Sequence, residues 1–493
     1  MAWIAIDAGT SVIKAVAYSN DGREIALARQ RTTVLHPQPN YSEQSMEDVW
    51  RAVIKTVNEV VPQVKEPIRG IVSTAQGDGA WLADNHGDPI GNAILWNDGR
   101  ANDFISHWHE NGAAAQAFRV NGSVAYAGLP NAIFAWLGQN EPQRIRQARW
   151  SLTCNGWIHA QLTGRFIADL SDASNPFCDI RHGEYSAELP TIYGVEEYAS
   201  LLPSIVRMDS AVAPLAEGAA RQLNLKPGID AVIAPYDIVA MAYGSSATAA
   251  GKACVILGTT LSPEVITTSL DLTGTPSGTS IALDNGLFLR AMPTLTGCEA
   301  LDWTASMLCL EGLEQLAALA AQAEEGSGGV LFLPYLSPAG ERSPFLNPAA
   351  KGSFNGVTLR TGRAEMARAV YEGLSFVIRE CLEAATKEQV DSIHVCGGGA
   401  RSNFWCQMIA DVTGIAVVRS AEREVGARGA FVFALTATGK FNSLTEGAQT
   451  LLTDERRFQP NATLYDIYSQ QFTTFRRLRD LATGEWRLWT KGQ

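Results

Sequence analysis

The sequence has no Cys-x-x-Cys pair, no cluster of cysteine with histidine, no apolar run of membrane-spanning length and no low-complexity tract. Its eight cysteines are scattered over 493 residues. That spacing argues against a thiolate zinc site or a disulfide framework and leads us to expect reduced thiols in a cytoplasmic protein. The longest apolar runs, such as 253–257 and 330–333, are strand-length, and no basic stretch leads into an apolar one at the start. Neither a membrane span nor a secretory leader is expected. Positive charge is scarce: 39 Lys and Arg stand against 51 Asp and Glu, a net charge of −12. That balance opposes nucleic acid and anionic membranes as partners. What remains is 46% hydrophobic and 18% charged, the composition of a globular protein. The length calls for at least two domains.

The opening stretch organises the rest. A short apolar strand, residues 3–6, turns through Asp7-Ala8-Gly9-Thr10-Ser11 and resumes as a β-rich run over 12–18. Asn20-Asp21-Gly22 supplies a tight turn, and a third run follows over 25–34. This is a meander of hairpins, not the strand-then-helix of a dinucleotide fold. Gly9 allows close backbone approach to a ligand. Thr10 and Ser11 add hydroxyls, Lys14 adds a cation, and Asp7 ends the strand where a hydrated Mg²⁺ would want an acid. The set suits a nucleotide's terminal phosphates, though Asp-x-Gly-Thr also occurs in ordinary hairpins. The net negative charge does not oppose one nucleotide, because Mg²⁺ and a few local dipoles decide that.

Further along, the spacing predicts a helix over 47–61, a strand over 68–74, a Gln76-Gly77-Asp78-Gly79 interruption, and β-runs over 81–84 and 90–96. The latter ends in Trp96-Asn97-Asp98-Gly99-Arg100. Helical stretches follow at 131–137 and 157–162. Residues 165–225 are mixed, with a polar turn over 169–175, and are expected to include substrate-facing insertions. The second half opens as the first did: strand 253–257, turn Gly258-Thr259-Thr260, β-run 264–268. Two strand–Gly-Thr–strand units half a chain apart imply two related domains, 1–245 and 246–493. Helices at 364–386, 403–412 and 427–437 alternate with strands at 392–396 and 416–418, and a helix over 464–483 closes the chain.

Three other motifs bear chemistry. Cys396-Gly397-Gly398-Gly399 leads from a strand to Ser402, a good helix N-cap, and glycines there would clear room for a base or ribose. It is not Gly-x-Gly-x-x-Gly. Asp237 stands where a strand meets a small-residue helix; it either caps that helix or accepts a proton from a hydroxyl nucleophile. Glu341-Arg342 reads as a structural pair.

In this order the motifs resemble an FGGY-family carbohydrate kinase, a branch of the actin/hexokinase/heat-shock ATPase superfamily. Gly352-Ser353-Phe354-Asn355-Gly356-Val357, seven residues, then Glu365-Met366-Ala367-Arg368-Ala369-Val370-Tyr371-Glu372 fits the family's C-terminal signature. Gly128, Pro130, Trp136 and Leu137 fall in place in the N-terminal one, with Ile133 replacing its usual lysine, which is not a reacting group. The resemblance covers residues 3–480. It implies an α/β fold of two ribonuclease-H-like domains flanking a central cleft. ATP would lie mainly on the second, with Gly258, Thr259, Gly9, Thr10, Ser11 and Lys14 at the phosphates and Gly398, Gly399 and Ser402 at the adenosine. The sugar would lie mainly on the first, near Gln76, Asp78, Trp96, Asp98 and Asp237. Asp237 would be the general base, and Mg²⁺ would sit by Asp7 and Asp237. The resemblance implies an ATP-dependent kinase of a small carbohydrate, with no nucleic-acid or membrane partner; a homodimer is compatible with it. Ketopentose kinases of the family carry a Gln-Met-His-Gly-like segment and glycerol kinases an Arg-Glu pair where this chain has Gln76-Gly77-Asp78-Gly79. An acid between glycines is similar to the erythritol-type kinases, which points to a four- or five-carbon polyol first and a ketopentose second. Asp78 serving only its own turn is the plainer alternative, and a non-catalytic sugar sensor is the rival function.

Overall fold

The strand Ala2–Ala8 is apolar on both faces because it lies inside a sheet: Val12–Ser19 pairs with it antiparallel on one side and Ile68–Ala75 parallel on the other. Six strands stand in the order Val212–Pro214, Asp230–Ile233, Ile68–Ala75, Ala2–Ala8, Val12–Ser19, Glu24–Arg31. The helix Met46–Val60 buries Val49, Val53 and Val57 against this sheet, and Cys154–Thr163 brings Trp157 and Ile158 to the same core. A second cluster around Trp108, Phe134 and Tyr193 fills the interior of the segments between residues 80 and 202. This computed structural model describes residues 1–451 and 454–489.

By contacts the chain forms two units. The first comprises Met1–Thr248, Leu270–Leu289 and Glu422–Leu452; the second comprises Ala249–Ser269, Arg290–Ala421 and Thr453–Gln493. In the second unit Leu261–Thr267, Lys252–Leu257, Ser392–Cys396, Val417–Ser420 and Glu455–Phe458 lie side by side in that order. The pairings are antiparallel, parallel, parallel, antiparallel. The first unit repeats this sense from Val12–Ser19 through Ala2–Ala8, Ile68–Ala75 and Asp230–Ile233 to Val212–Pro214. The repeated sheet is that of the ribonuclease-H-like domain, and the internal symmetry expected from the two Gly-Thr hairpins is present.

Two helices of the first unit cross at unusually close range. Val425–Ala437 is buried almost all round and packs on Asp237–Gly244. A Cβ at Gly429 would stand 1.8 Å from the Ala240 carbonyl oxygen, and one at Gly244 1.9 Å from that of Val425. Only glycine permits that approach. The second unit centres on the long helix Arg363–Ala385, where buried Glu372 is satisfied by Arg368 at 2.9 Å, the Ser327 hydroxyl at 2.7 Å and the Tyr468 hydroxyl at 3.1 Å.

One expected element shrinks. Of the run 90–96 only Ala93–Ile94 is a strand, paired with Glu43–Gln44. Gly91 has φ +76°, which breaks the extended backbone before it. The expected polar turn at 169–175 is instead a buried helical turn, Leu170–Ala173, with Asp169 accepting from the Ser171 N–H.

Candidate active site

Three parallel neighbours of the first sheet end together. Ala8 is level with Ala75 and Ile233 with Ser73. The turns that follow them, at residues 9–11, 76–79 and 234–237, therefore emerge at one sheet edge. The carboxyl ends of parallel strands are where open α/β sheets bind ligands. Sequence positions as distant as 10, 76 and 237 meet for this reason.

The phosphate-type turn is tied to its neighbours. The Thr10 hydroxyl donates to Gln76 Oε1 at 2.7 Å and accepts from the Trp96 indole N–H at 3.0 Å. Gln76 in turn donates to Gln44 Oε1 at 2.9 Å. Thr10, Gln76 and Trp96, expected on two different ligands, are thus one hydrogen-bonded group. Ser11 is exposed beside it. Lys14 Nζ stands 3.3 Å from Asp7 Oδ2 and 3.1 Å from Glu424 Oε2, and Arg29 pairs with the other oxygen of Glu424. Burial works against the Lys14 charge, but Asp7 and Glu424 outweigh it and hold the ammonium above its ordinary pKa. Burial raises the Asp7 carboxyl in spite of Lys14.

Asp237 is the first residue of its helix. Its Oδ1 accepts the Ile238 N–H at 2.8 Å. Burial pushes its pKa up to about 7, with the charges of Asp7 and Asp78 adding to the rise. A carboxyl poised there can take a proton from a hydroxyl near neutrality. Asp78, at φ +54°, accepts from the Tyr126 hydroxyl on Oδ2 and from the Asn175 amide on Oδ1 at 3.3 Å.

Asp98 stands apart. Its side chain is fully enclosed, and both oxygens are taken by the Ser42 N–H at 2.6 Å and by Arg100 at 2.8–2.9 Å. Arg100 goes on to Glu43 and lies over the Tyr41 ring. The expected direct sugar contact gives way to a buried ion pair beside the Trp96 segment, because no acceptor edge of Asp98 faces outward.

The second unit carries its own concavity, about 830 Å³, lined by Gly258, Thr259, Gly398, Gly399, Ser402 and Trp405 among others. The strands ending at Leu257 and Cys396 are parallel neighbours, so both glycine turns open on one edge. Ser402 caps the following helix, accepting from the Trp405 N–H at 3.2 Å. No atom lies within 4 Å of a Cβ placed on Gly398, leaving that wall flat for a base or ribose. The volume is that of a nucleotide-sized pocket. Among the described residues no group of three or more His, Cys, Asp or Glu could hold a metal ion.

Glu424, Tyr126 and Asn175 were not singled out from the sequence. Glu424 precedes the small-residue helix but lies 395 residues from Arg29. Asn175 belongs to the polar run at 169–175, which was a usable signal. Tyr126 had none.

Residues 2–244 match the N-terminal domain, and residues 289–438 the C-terminal domain, of the FGGY family of carbohydrate kinases. The chain is 30% identical to the xylulose kinase of Escherichia coli (strain K12), over 97% of this chain and 98% of that one. It is 28% identical to the erythritol kinase of Brucella abortus (strain 2308), over 97% and 95%. A crystal structure of ligand-bound xylulose kinase from Lactobacillus acidophilus superposes with a TM-score of 0.93 at 22% identity, covering 99% of each chain. Among the described residues no helix is long and apolar enough to cross a membrane.

Proposed function

The chain belongs to the FGGY family of carbohydrate kinases and is an ATP-dependent phosphotransferase acting on a sugar or polyol; from that premise we propose that its acceptor is a four- or five-carbon polyol. The observation that carries this reading is the state of Asp78. Its carboxylate is held by Tyr126 and Asn175, and an ionised carboxylate offers acceptors only. A carboxylate oxygen can accept more than one hydrogen bond, so the oxygens that Tyr126 and Asn175 hold can also meet substrate hydroxyls. Vicinal hydroxyls of a polyol satisfy it, whereas a ketose carbonyl, which needs a donor, does not. Trp96 supplies an apolar wall for the carbon chain, with its indole N–H already engaged by Thr10.

In this reading Asp237 accepts the proton of the attacking hydroxyl. Its raised pKa makes it a base matched to neutral pH. Lys14, Gly9, Thr10 and Ser11 would bind phosphate in the first unit, and Gly258 and Thr259 would do so in the second. Gly398, Gly399 and Ser402 hold the adenosine. Phosphoryl transfer needs positioning and charge neutralisation more than covalent help. Mg²⁺, carried with the nucleotide and faced by Asp7 and Asp237, would supply part of that neutralisation. Asp98 serves by fixing Arg100. A cytoplasmic setting suits eight cysteines that form no disulfide.

Coupled ADP release over four- to six-carbon polyols, ketoses and lactones tests the reading. Turnover should be highest with a four- or five-carbon polyol. Activity on ketopentoses with none on any polyol would overturn the substrate class and favour the relatives named for xylulose.

A further inference from the structure

The segment before the base is gripped at every backbone polar atom. The Ala234 N–H donates to the Ser73 carbonyl at 2.9 Å. The Ala234 carbonyl accepts from the Asn155 amide at 2.6 Å, and the Pro235 carbonyl from the Thr74 hydroxyl at 2.7 Å. The Tyr236 N–H donates to Ser171 Oγ at 3.1 Å, and the Tyr236 carbonyl accepts from the Ala240 N–H at 3.0 Å. Three of these five partners are buried side chains, Asn155, Thr74 and Ser171. Loop backbone usually takes such bonds from water or from other backbone groups. Here the bonds leave residues 234–236 little freedom to shift Asp237.

Ser171 links this grip to the other end of the acceptor site. Its hydroxyl proton goes to Asp169 Oδ1, so its lone pair is aimed at Tyr236. Four residues on, Asn175 donates to Asp78. Ser171 lies within the single helical turn Leu170–Ala173 and Asn175 just beyond its end; four residues of helix span roughly 6 Å of axis, on the scale of a short carbon chain. Ser174 Oγ closes that turn onto the Leu170 carbonyl at 2.8 Å. The Tyr236 ring adds a direct contact, lying where a Cβ on Gly77 would come within 2.3 Å of it.

We propose that residues 169–175 are a positioning element that fixes the distance between Asp237 and Asp78, and thereby selects which hydroxyl of the acceptor is phosphorylated. The proposal rests on the reading of Asp237 as base and Asp78 as hydroxyl acceptor. Ser171 and Asn175 touch no reacting atom; they set where the two carboxylates stand. The reaction itself is unchanged: the acceptor oxygen bonds to the γ-phosphorus, the bond from that phosphorus to the ADP oxygen breaks, and the hydroxyl proton passes to Asp237.

The test compares the full-length protein with Ser171→Ala, Ser171→Thr and Asn175→Ala on four- and five-carbon polyols, resolving positional isomers of the product by phosphorus and carbon NMR. Thermal melting and binding of a fluorescent ATP analogue report on folding. Ser171→Ala should lower kcat about tenfold or more, leave KM within about threefold, and spread the product over more than one hydroxyl. Ser171→Thr, which keeps the hydroxyl, should restore both kcat and the product pattern. Asn175→Ala should change the ranking of acceptors by chain length, chiefly through KM. If Ser171→Ala does not fold, Ser171→Cys keeps the volume and weakens the hydrogen bond. Folded variants with unaltered isomer ratio and acceptor ranking would overturn the proposal, including variants whose kcat falls equally on every acceptor. A wild-type protein with no turnover on any sugar or polyol would instead overturn the assignment of its acceptor.

Discussion

Replacing Gly429 by alanine pits helix propensity against helix packing, and the two give opposite signs. In an open helix the change stabilises by up to about 1 kcal/mol. At Gly429 the new methyl would meet the Ala240 carbonyl oxygen at 1.8 Å, where real Cβ contacts do not fall below 3.0 Å. The helices Val425–Ala437 and Asp237–Gly244 must therefore part by about 1.2 Å. Forcing such overlap into a packed core costs roughly 1–3 kcal/mol, so Gly429→Ala should destabilise by about 1–2 kcal/mol. The displaced helix begins at Asp237, the proposed base, and a shift near 1 Å at such a group can cost about 10² in rate. Urea unfolding and steady-state kinetics on the same preparation check both numbers. Gly484→Ala, at a helical site with nothing within 4 Å, is the control and should be neutral or stabilising with unaltered kcat. A Gly429→Ala protein that is more stable than wild type and equally fast would refute the packing argument.

Asp237→Asn should fold, bind nucleotide and lose turnover by roughly 10²–10⁴-fold; near-normal kcat would remove Asp237 as base. Lys14→Ala should lower kcat far more than it changes acceptor KM, read from saturation curves in both substrates. Asp78→Ala should cost about 1.5–3 kcal/mol of acceptor binding by calorimetry if its carboxylate bonds hydroxyls, and unchanged affinity would confine Asp78 to its turn. Among the described residues, buried His159 has no hydrogen-bond partner for either ring nitrogen, and burial pushes its pKa down to about 3. Its neutral form is the folded one, so its contribution is complete above pH 6.5 and is lost as pH falls from there toward 3. His159→Leu should flatten that part of the stability profile in denaturant titrations at several pH values.

The regular elements were legible because their periodicity was local. The strand Ser392–Cys396 and the helix beginning at Asn403 fall where the spacing put them. The Gly-Thr hairpins gave away the repeated sheet. Asp237 could be placed at the junction of a strand and a helix from its local context, and it is the first residue of the helix Asp237–Gly244. Partnerships across long separations were not legible. Nothing near Lys14 points to Glu424, because a single carboxylate in a charged run looks like any surface acid until the helix behind it is packed. Asp98 shows the complementary limit: its motif does not reveal that Arg100, two residues later, engages both its oxygens.

The first unit is not finished where its first long segment stops. Thr248 ends that segment, yet Arg29 finds its carboxylate, and Lys14 the second of its two, at residue 424. Synthesis must run from the opening hairpin to Glu424 and beyond before Arg29 and Lys14 gain that carboxylate and the helix Val425–Ala437 covers the face of the helix Asp237–Gly244. Chains usually fold unit by unit as they emerge; this one cannot. The second unit is equally late, since it takes in Thr453–Gln493. Through most of synthesis both halves are incomplete, with small-residue and apolar faces open to other nascent chains. The stage of this protein's life most exposed to aggregation is thus its translation, and severing the gene at residue 248 would not yield an independent acceptor-binding fragment.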